Sequence, residues 1–357
     1  SWIWGSSIGA AITGIILSIK YKVPIITAWS APGTALLVAL FPHISLNEVV
    51  AAYITSAVII FFIGITGSFD KLLKWIPQGV AAGMMAGILF QFGVGLFKAT
   101  DSMPYVVFGM LACFLLAKRF SPRYAIIWVL LSGITLSFLF GKINPVPMNF
   151  SLAIPELIMP EWTWSSTLNL AIPLTIVSLT GQFLPGMAIL KLSGYNTPAK
   201  PILSVASIVS LAVAITGGIT IVLAAITAAL CTGKDSHELK EKRYIAGIAN
   251  GIFYILGGLF AGSIVMLFSI LPKELVAALA GLALLGAIAT NISVAMKDES
   301  QRDAALITFL ATVSGMHFLG FSSVFWGICI GMISHLVLSK REAKIITPPS
   351  TQNSIQS

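Results

Sequence analysis

The sequence predicts an all-α integral membrane protein folded as a seven-plus-seven inverted repeat with two broken helices. Three observations lead there: the composition, the recurrence of apolar stretches of membrane-crossing length, and a likeness between the two halves of the chain. Of 357 residues, 57% are hydrophobic and only 10% charged, and the mean hydropathy is +0.95. A water-soluble domain of this size needs a far more charged surface. Backbone polar groups in hydrocarbon require internal partners, so the apolar stretches are read as helices rather than open strands.

The formal net charge of +8 does not indicate a nucleic-acid partner, because Lys and Arg are scattered between apolar segments as topology signals are. Cys113, Cys231 and Cys329 lie in or beside apolar segments without metal or disulfide spacing and read as small packing residues. Ser1 follows no basic region or cleavage site, so no signal peptide is read.

Thirteen crossings can be read, at about 3–19, 24–41, 48–66, 78–97, 103–117, 123–140, 168–190, 201–216, 218–232, 244–267, 274–296, 304–320 and 322–339. Ser45 with Glu48, and Ser300 with Asp303, have the spacing of capping boxes at helix starts. Beyond Lys344 the chain turns polar and Pro/Ser-rich, and the tail 345–357 is predicted to be disordered. Alternate loops divide the cations eighteen against three, with Lys98, Lys142 and Lys273 alone on the poorer side, which accounts for all 21. A miscounted crossing would scramble that split, so it supports both the map and a cytoplasmic C-terminus.

The halves resemble one another. Gly67–Pro77 aligns with Gly262–Pro272 at an offset of 195, Ala86-Gly87 with Ala280-Gly281, and Thr34–Leu37 with Thr227–Leu230 at 193. The two copies fall on opposite topological phases, the arrangement of secondary transporters. The helix near 168–190 has no partner one offset earlier, so a first helix is expected to be absent from this chain, seven plus seven in all.

Two segments break the pattern of ordinary membrane helices. Pro24–Ala28 is β-branched and followed by Trp29, Ser30, Ala31 and Pro32, after which a helix-forming run begins; Pro32 suits a first turn. Thr216-Gly217-Gly218 is followed by Ile219, Thr220, Ile221, Val222 and Leu223, then an Ala-rich helix. A helix that starts inside the membrane aims unpaired N–H groups and a positive dipole end at the midplane, and two such ends converging can host an anion without a side-chain cation. Read singly, either break could be a transmembrane kink; their matching repeat positions favour a site.

Gln182, in Thr180-Gly181-Gln182-Phe183, is an amide in an apolar span and needs a partner, either a substrate carboxylate or a neighbouring helix. Phe183 and Trp29 could face an apolar substrate body or pack in the core. All thirteen Asp and Glu fall in loops or at helix ends, so no intramembrane carboxylate is available for proton coupling. His317 reads as a helix bridge, and His43, His237 and His335 are assigned no role. Gln91 and Asn291 are polar points on equivalent helices, and Gly83/Gly87 and Gly327/Gly331 have small-xxx-small spacing for helix contact.

Pro24–Gly33, Ala86–Leu89, Pro122–Ala125, Ala224–Ala228 and Arg302–Ala305 resemble segments of the benzoate/proton symporter (BenE) family. That family is similar in fold to nucleobase and sulfate transporters, and the resemblance implies a short strand leading into each half-helix, at Ile25–Ala28 and Ile219–Val222. It implies a core domain (1–73 and 165–268), a gate domain (74–145 and 269–344) and an external loop at 146–164. The implied activity is secondary transport of benzoate or a similar aromatic carboxylate by core movement against gate, with a passive anion channel or a transporter of another small anion on the same scaffold as the alternative; no enzymatic centre is expected. The candidate substrate site comprises Trp29, Ser30, Ala31, Pro32, Gln182, Phe183, Thr220, Ile221 and Leu223. Nucleobase relatives carry acids where this chain has Gln182 and Ile219/Thr220, and such acids would repel a carboxylate. Expected partners are the aromatic carboxylate, protons, the lipid of a bacterial inner membrane and a second copy in a homodimer, with no metal, other cofactor or nucleic acid.

Overall fold

The computed structural model describes residues 2–40, 44–69, 71, 77–142, 152–233, 236–319 and 321–342. His43 and the tail 345–357 lie outside the described residues. The chain begins with α1 (Trp2–Tyr21), β1 (Thr27–Trp29), α2 (Ala31–Leu40) and α3 (Leu46–Thr66). Next come α4 (Gln78–Lys98), α5 (Pro104–Phe120), α6 (Ala125–Leu139) and a long helical run, α7 (164–192). The second half holds α8 (Ala199–Ala214), β2 (Ile221–Leu223), α9 (Ala225–Thr232), α10 (Tyr244–Leu259) and α11 (Ala261–Ile270). It closes with α12 (Lys273–Lys297), α13 (Arg302–Val313) and α14 (Ser323–Glu342). Among the described residues, six helices are individually long and apolar enough to cross a bilayer, or seven if the bent pair α10–α11 is one span.

Local chemistry sets the boundaries. Ser45 and Glu48 form the expected capping box on α3, and Gly67 ends that helix in the left-handed region at φ 68°. The expected Ser300/Asp303 box is not formed: Asp298 accepts the Ser300 N–H instead, and α13 begins at Arg302. The span expected at 244–267 is bent by 68° at Phe260, just after Gly257-Gly258 lower the helix propensity. The span expected at 304–320 stops at Val313, before Gly315 turns at φ 64°.

The repeat is visible in the coordinates. Pro77 and Pro272 are both N-caps, of α4 and α12, and lie 195 apart as the alignment required. β1 and β2 pair antiparallel, with Thr27 opposite Leu223, Ala28 opposite Val222 and Trp29 opposite Ile221. Ala28 and Val222 are separated by one repeat length of 194, so each pairs with its own counterpart, and a pseudo-two-fold axis passes between them. Ser30 N–H to Thr220 C=O (3.0 Å) and Ala224 N–H to Ile26 C=O (2.8 Å) are likewise one bond written twice.

Around this crossing α1 packs on α10 and α8, α8 on α3, and α7 on α3 and α9; elsewhere α4 packs on α12, α13 and α14, and α5 on α6. Missing side chains let helices approach: a methyl on Gly83 would meet the Ala305 backbone, and one on Gly331 would meet Thr308. The two sets of helices meet where α2 and α7 lie on α4, burying Leu36, Leu40, Met84, Ile88, Leu170 and Leu174 together. Residues 152–163 drape over helix ends through Ala153 N–H to Leu259, Ile158 N–H to Ile215 and Glu161 N–H to Asn47 carbonyls.

Candidate functional site

A short strand in a membrane needs its backbone satisfied by neighbours, and here hydroxyls and carbonyls of α1 and α8 supply the partners. Ser18 Oγ lies 3.2 Å from both the N–H and the carbonyl of Ile25, and Thr27 Oγ1 donates to the Ala10 carbonyl at 2.7 Å. Ser6 Oγ accepts from Ile219 N–H at 3.2 Å and Ser210 Oγ from Ile221 N–H at 2.8 Å. Gly217, at φ 80°, ends α8 in the left-handed region, and Gly218 donates back to the Val213 carbonyl, turning the chain into β2. The unwound segments are therefore fixed, and each delivers a half-helix at the crossing.

The two half-helices are capped unequally. In α2, Gly33 N–H is accepted by Ser30 Oγ at 3.1 Å, Thr34 N–H by the Ser30 carbonyl at 2.8 Å, and Pro32 has no N–H. Ala31, which is exposed, keeps the one first-turn N–H of α2 without a partner among the described residues. In α9 the N-cap is Ala224, which has no side chain to cap with; Ala225 and Thr227 N–H groups have no partner among the described residues, and both residues are half-buried. Anion affinity at a helix start scales with such orphan donors, so α9 contributes more of the positive pole than α2.

Facing the crossing, α7 carries two π-helical turns, Thr167–Ala171 and Leu179–Phe183, each ending two residues before a proline, Pro173 or Pro185. A proline in a helix cannot donate backward and crowds the preceding turn, which a wider turn relieves. Leu184 N–H bonds the Leu179 carbonyl, and Pro185 has no N–H to give to Thr180 or Gly181. The second turn packs on β2 and α4, where a methyl on Gly181 would meet Met85. Gln182 sits on it half-buried, its amide without a hydrogen bond among the described residues.

Of the residues singled out in the sequence, Ser30, Ala31, Pro32, Thr220 and Gln182 meet at or beside the crossing. The Ser30 hydroxyl is the α2 cap, so its oxygen already serves the backbone. Thr220 is 1% exposed with its Oγ1 unpartnered. Trp29 turns toward α1 and α10, edge-on to Tyr254 at 5.4 Å and tilted to Trp2 at 6.4 Å. Phe183 and Leu223 are fully buried together in an apolar cluster with Leu179, and Ile221 packs on Ala10 and Val213. Those four side chains are thus engaged in packing, whereas an apolar residue beside a broken helix reads in sequence as lining. The second half-helix starts at Ala225, not at Leu223. Sequence reasoning passed over Ala224, Ala225 and Thr227, because the local sequence offset of 193 maps Ser30 onto Leu223, whereas the strand pairing, at 194, maps it onto Ala224. No group of three or more metal-ligating side chains occurs among the described residues.

Residues 1–337 match the family described as "Benzoate membrane transport protein". The benzoate membrane transport protein of Acinetobacter baylyi is 73% identical over 343 residues, covering 96% of this chain and 87% of that one. Inner membrane protein YdcO of Escherichia coli is 36% identical over 338 residues, covering 94% and 86%. Among solved structures, SLC26A9 superposes with a TM-score of 0.62 at 13% identity over 95% of this chain, which spans 65% of that chain's length. The transmembrane domain of the cyanobacterial bicarbonate transporter BicA gives 0.59 at 14% identity, covering 94% of this chain and 88% of that one. Those identities carry the fold alone. The chain belongs to the benzoate membrane transport protein family.

Proposed function

We propose, from membership of this family, that the protein is a secondary transporter of benzoate or a similar aromatic carboxylate, driven by protons. One observation carries the reading: two half-helix N-termini meet at a strand crossing beside a π turn, with orphan N–H groups and an unpaired amide within an otherwise apolar surround. A carboxylate accepts from Ala225, Thr227 and Ala31 N–H groups and from the Gln182 amide, gaining charge-assisted hydrogen bonds in a low dielectric. The ring then lies toward the π turn and α4 near Met85, rather than on Trp29, whose ring is engaged with Trp2 and Tyr254. No lysine or arginine is needed in such a site, because the peptide dipoles supply the positive pole.

The family name and the cation distribution support an inner-membrane placement with a cytoplasmic C-terminus. Movement of the helices around the crossing against α4–α6 and α12–α14 exposes the site to each side in turn. In proteoliposomes made acid outside and alkaline inside, labelled benzoate should accumulate above its external concentration faster than in protein-free liposomes at the same gradient, and unlabelled benzoate trapped inside should drive counterflow. A channel on the same scaffold would equilibrate label without accumulating it, which would overturn the reading. Gln182→Ala should weaken benzoate protection in a thermal-shift assay.

A further inference from the structure

Two adjoining cavities lie away from the crossing, between the C-terminal half of α2 and the α4, α13 and α14 helices. The smaller, about 50 Å3, is lined by Gln91, His317, Ser322 and Ser323 and by the end of α2. The larger, about 210 Å3, is apolar and lined by Val38, Phe92, Gly95 and Ala277. Ala39 and Gln91 line both, so the two form one amphipathic crevice. Ala39 is eight residues beyond Ala31, or about 12 Å along the α2 axis, which separates the crevice from the crossing.

The polar chamber is built around the start of α14, a 20-residue helix. Ser322 N–H is held by Asn169 Oδ1 at 2.6 Å, and the Ser322 carbonyl accepts from Trp326 N–H. Ser323 and Val324 N–H groups have no partner among the described residues, and both residues line the chamber. The Ser322 hydroxyl is buried, 4% exposed, lines the same chamber and has no hydrogen-bond partner. A buried hydroxyl left unsatisfied at the positive end of a helix dipole is a standing donor for an anion.

We infer that this crevice is a second, outer binding site for the aromatic carboxylate, occupied on the way to the crossing. The inference rests on the proposed substrate class. The carboxylate accepts from Ser322 Oγ and the α14 N-terminus, and the ring lies in the apolar part against Phe92 and Val38. By the cation count of the sequence, the end of α2 and the start of α14 fall on the cation-poor side, which puts the mouth outside the cell.

The test uses Gln91→Cys with Cys113, Cys231 and Cys329 replaced by Ala, reconstituted and treated from outside with a membrane-impermeant thiol reagent. Benzoate at ten times its dissociation constant should slow modification of the introduced thiol about tenfold. The slowing should persist when Gln182→Ala is added and vanish with Ser322→Val. Val38→Cys serves as a second reporter if the substitution at 91 itself weakens the site. Slowing lost on adding Gln182→Ala would show that the thiol senses only the crossing, and absence of modification at both positions would show a sealed crevice; either overturns the inference. Counterflow of the Gln182→Ala protein reports separately on the crossing, so the two readings can fail independently.

Discussion

Replacing Ala224 by Ser should make the protein more stable and a poorer benzoate binder at once. Ser30 and Ala224 are repeat counterparts, both N-caps, yet only Ser30 has an oxygen to cap with, accepting Gly33 N–H at 3.1 Å. Ala224 has extended backbone angles, φ −84° and ψ 92°, compatible with a capping serine, and the corresponding donor is Thr227 N–H. A new N-cap hydroxyl stabilises by about 1 kcal/mol. The same hydroxyl takes one N–H from the carboxylate, and a hydrogen bond to a charged group contributes about 1.5–3 kcal/mol, or roughly a 10- to 100-fold rise in Kd. Chemical denaturation in mixed micelles without ligand measures the first effect, and calorimetric titration with benzoate the second. Ala224→Asp should push both further, since its carboxylate would occupy the dipole end itself. An unchanged benzoate Kd in a stabilised Ala224→Ser protein would show that Thr227 N–H is no substrate donor.

Arg243 is 9% exposed and donates to the carbonyls of Thr232, His237 and Glu238, at 2.7, 2.8 and 3.3 Å, below the end of α9. Arg243→Ala should destabilise by about 3 kcal/mol through orphaned carbonyls and the lost helix-end cation, with Arg243→Lys recovering part, as denaturant midpoints would show. Ser210→Ala strips Ile221 N–H of its 2.8 Å partner and should cost about 1–3 kcal/mol, accompanied by faster hydrogen exchange in β2. Gly83→Val drives a side chain into the Ala305 backbone and should destabilise by about 1–3 kcal/mol or more through overpacking of α4 on α13, while benzoate affinity of the folded fraction stays unchanged.

Much of the fold was legible because lipid imposes blunt rules: membrane helices announce themselves by apolar length, and repeats by matched landmarks such as Pro77 and Pro272. The site was legible only in outline. Within a uniformly apolar chain, hydrophobic periodicity cannot say which face of a segment looks at substrate. Trp29 and Phe183 could therefore be read either as lining or as core, and in the fold their rings lie against Tyr254 and in the Leu179 cluster. The start of α9 was misplaced by two residues because Ile221, Val222 and Leu223 merge into the following Ala-rich run without a polar boundary. Ser30, by contrast, marked its helix correctly, being the one capping residue at either break. The π turns carry a signal in Pro173 and Pro185, but proline predicts a disturbance, not its form.

Unequal capping of two related half-helices has a physical reason beyond drift. A site with identical donors at both ends would hold a carboxylate equally well in two orientations, and its aromatic ring would have no defined side. With most of α2 silenced by Ser30 and Pro32 and α9 left open, the proposed pocket has one strong pole, which would order ring and carboxylate. The packing is unequal in the same sense: α2 lies on α4, whereas α9 packs on α7 and α10 with no comparable contact to α12. The membrane stretch of α4 is accordingly 61% buried and that of its counterpart α12 only 28%. Under the proposed alternating access, two nearly equivalent half-helices of which one rests on its partner helix and the other does not are candidates for the bistable element that exposure of one site to each side requires.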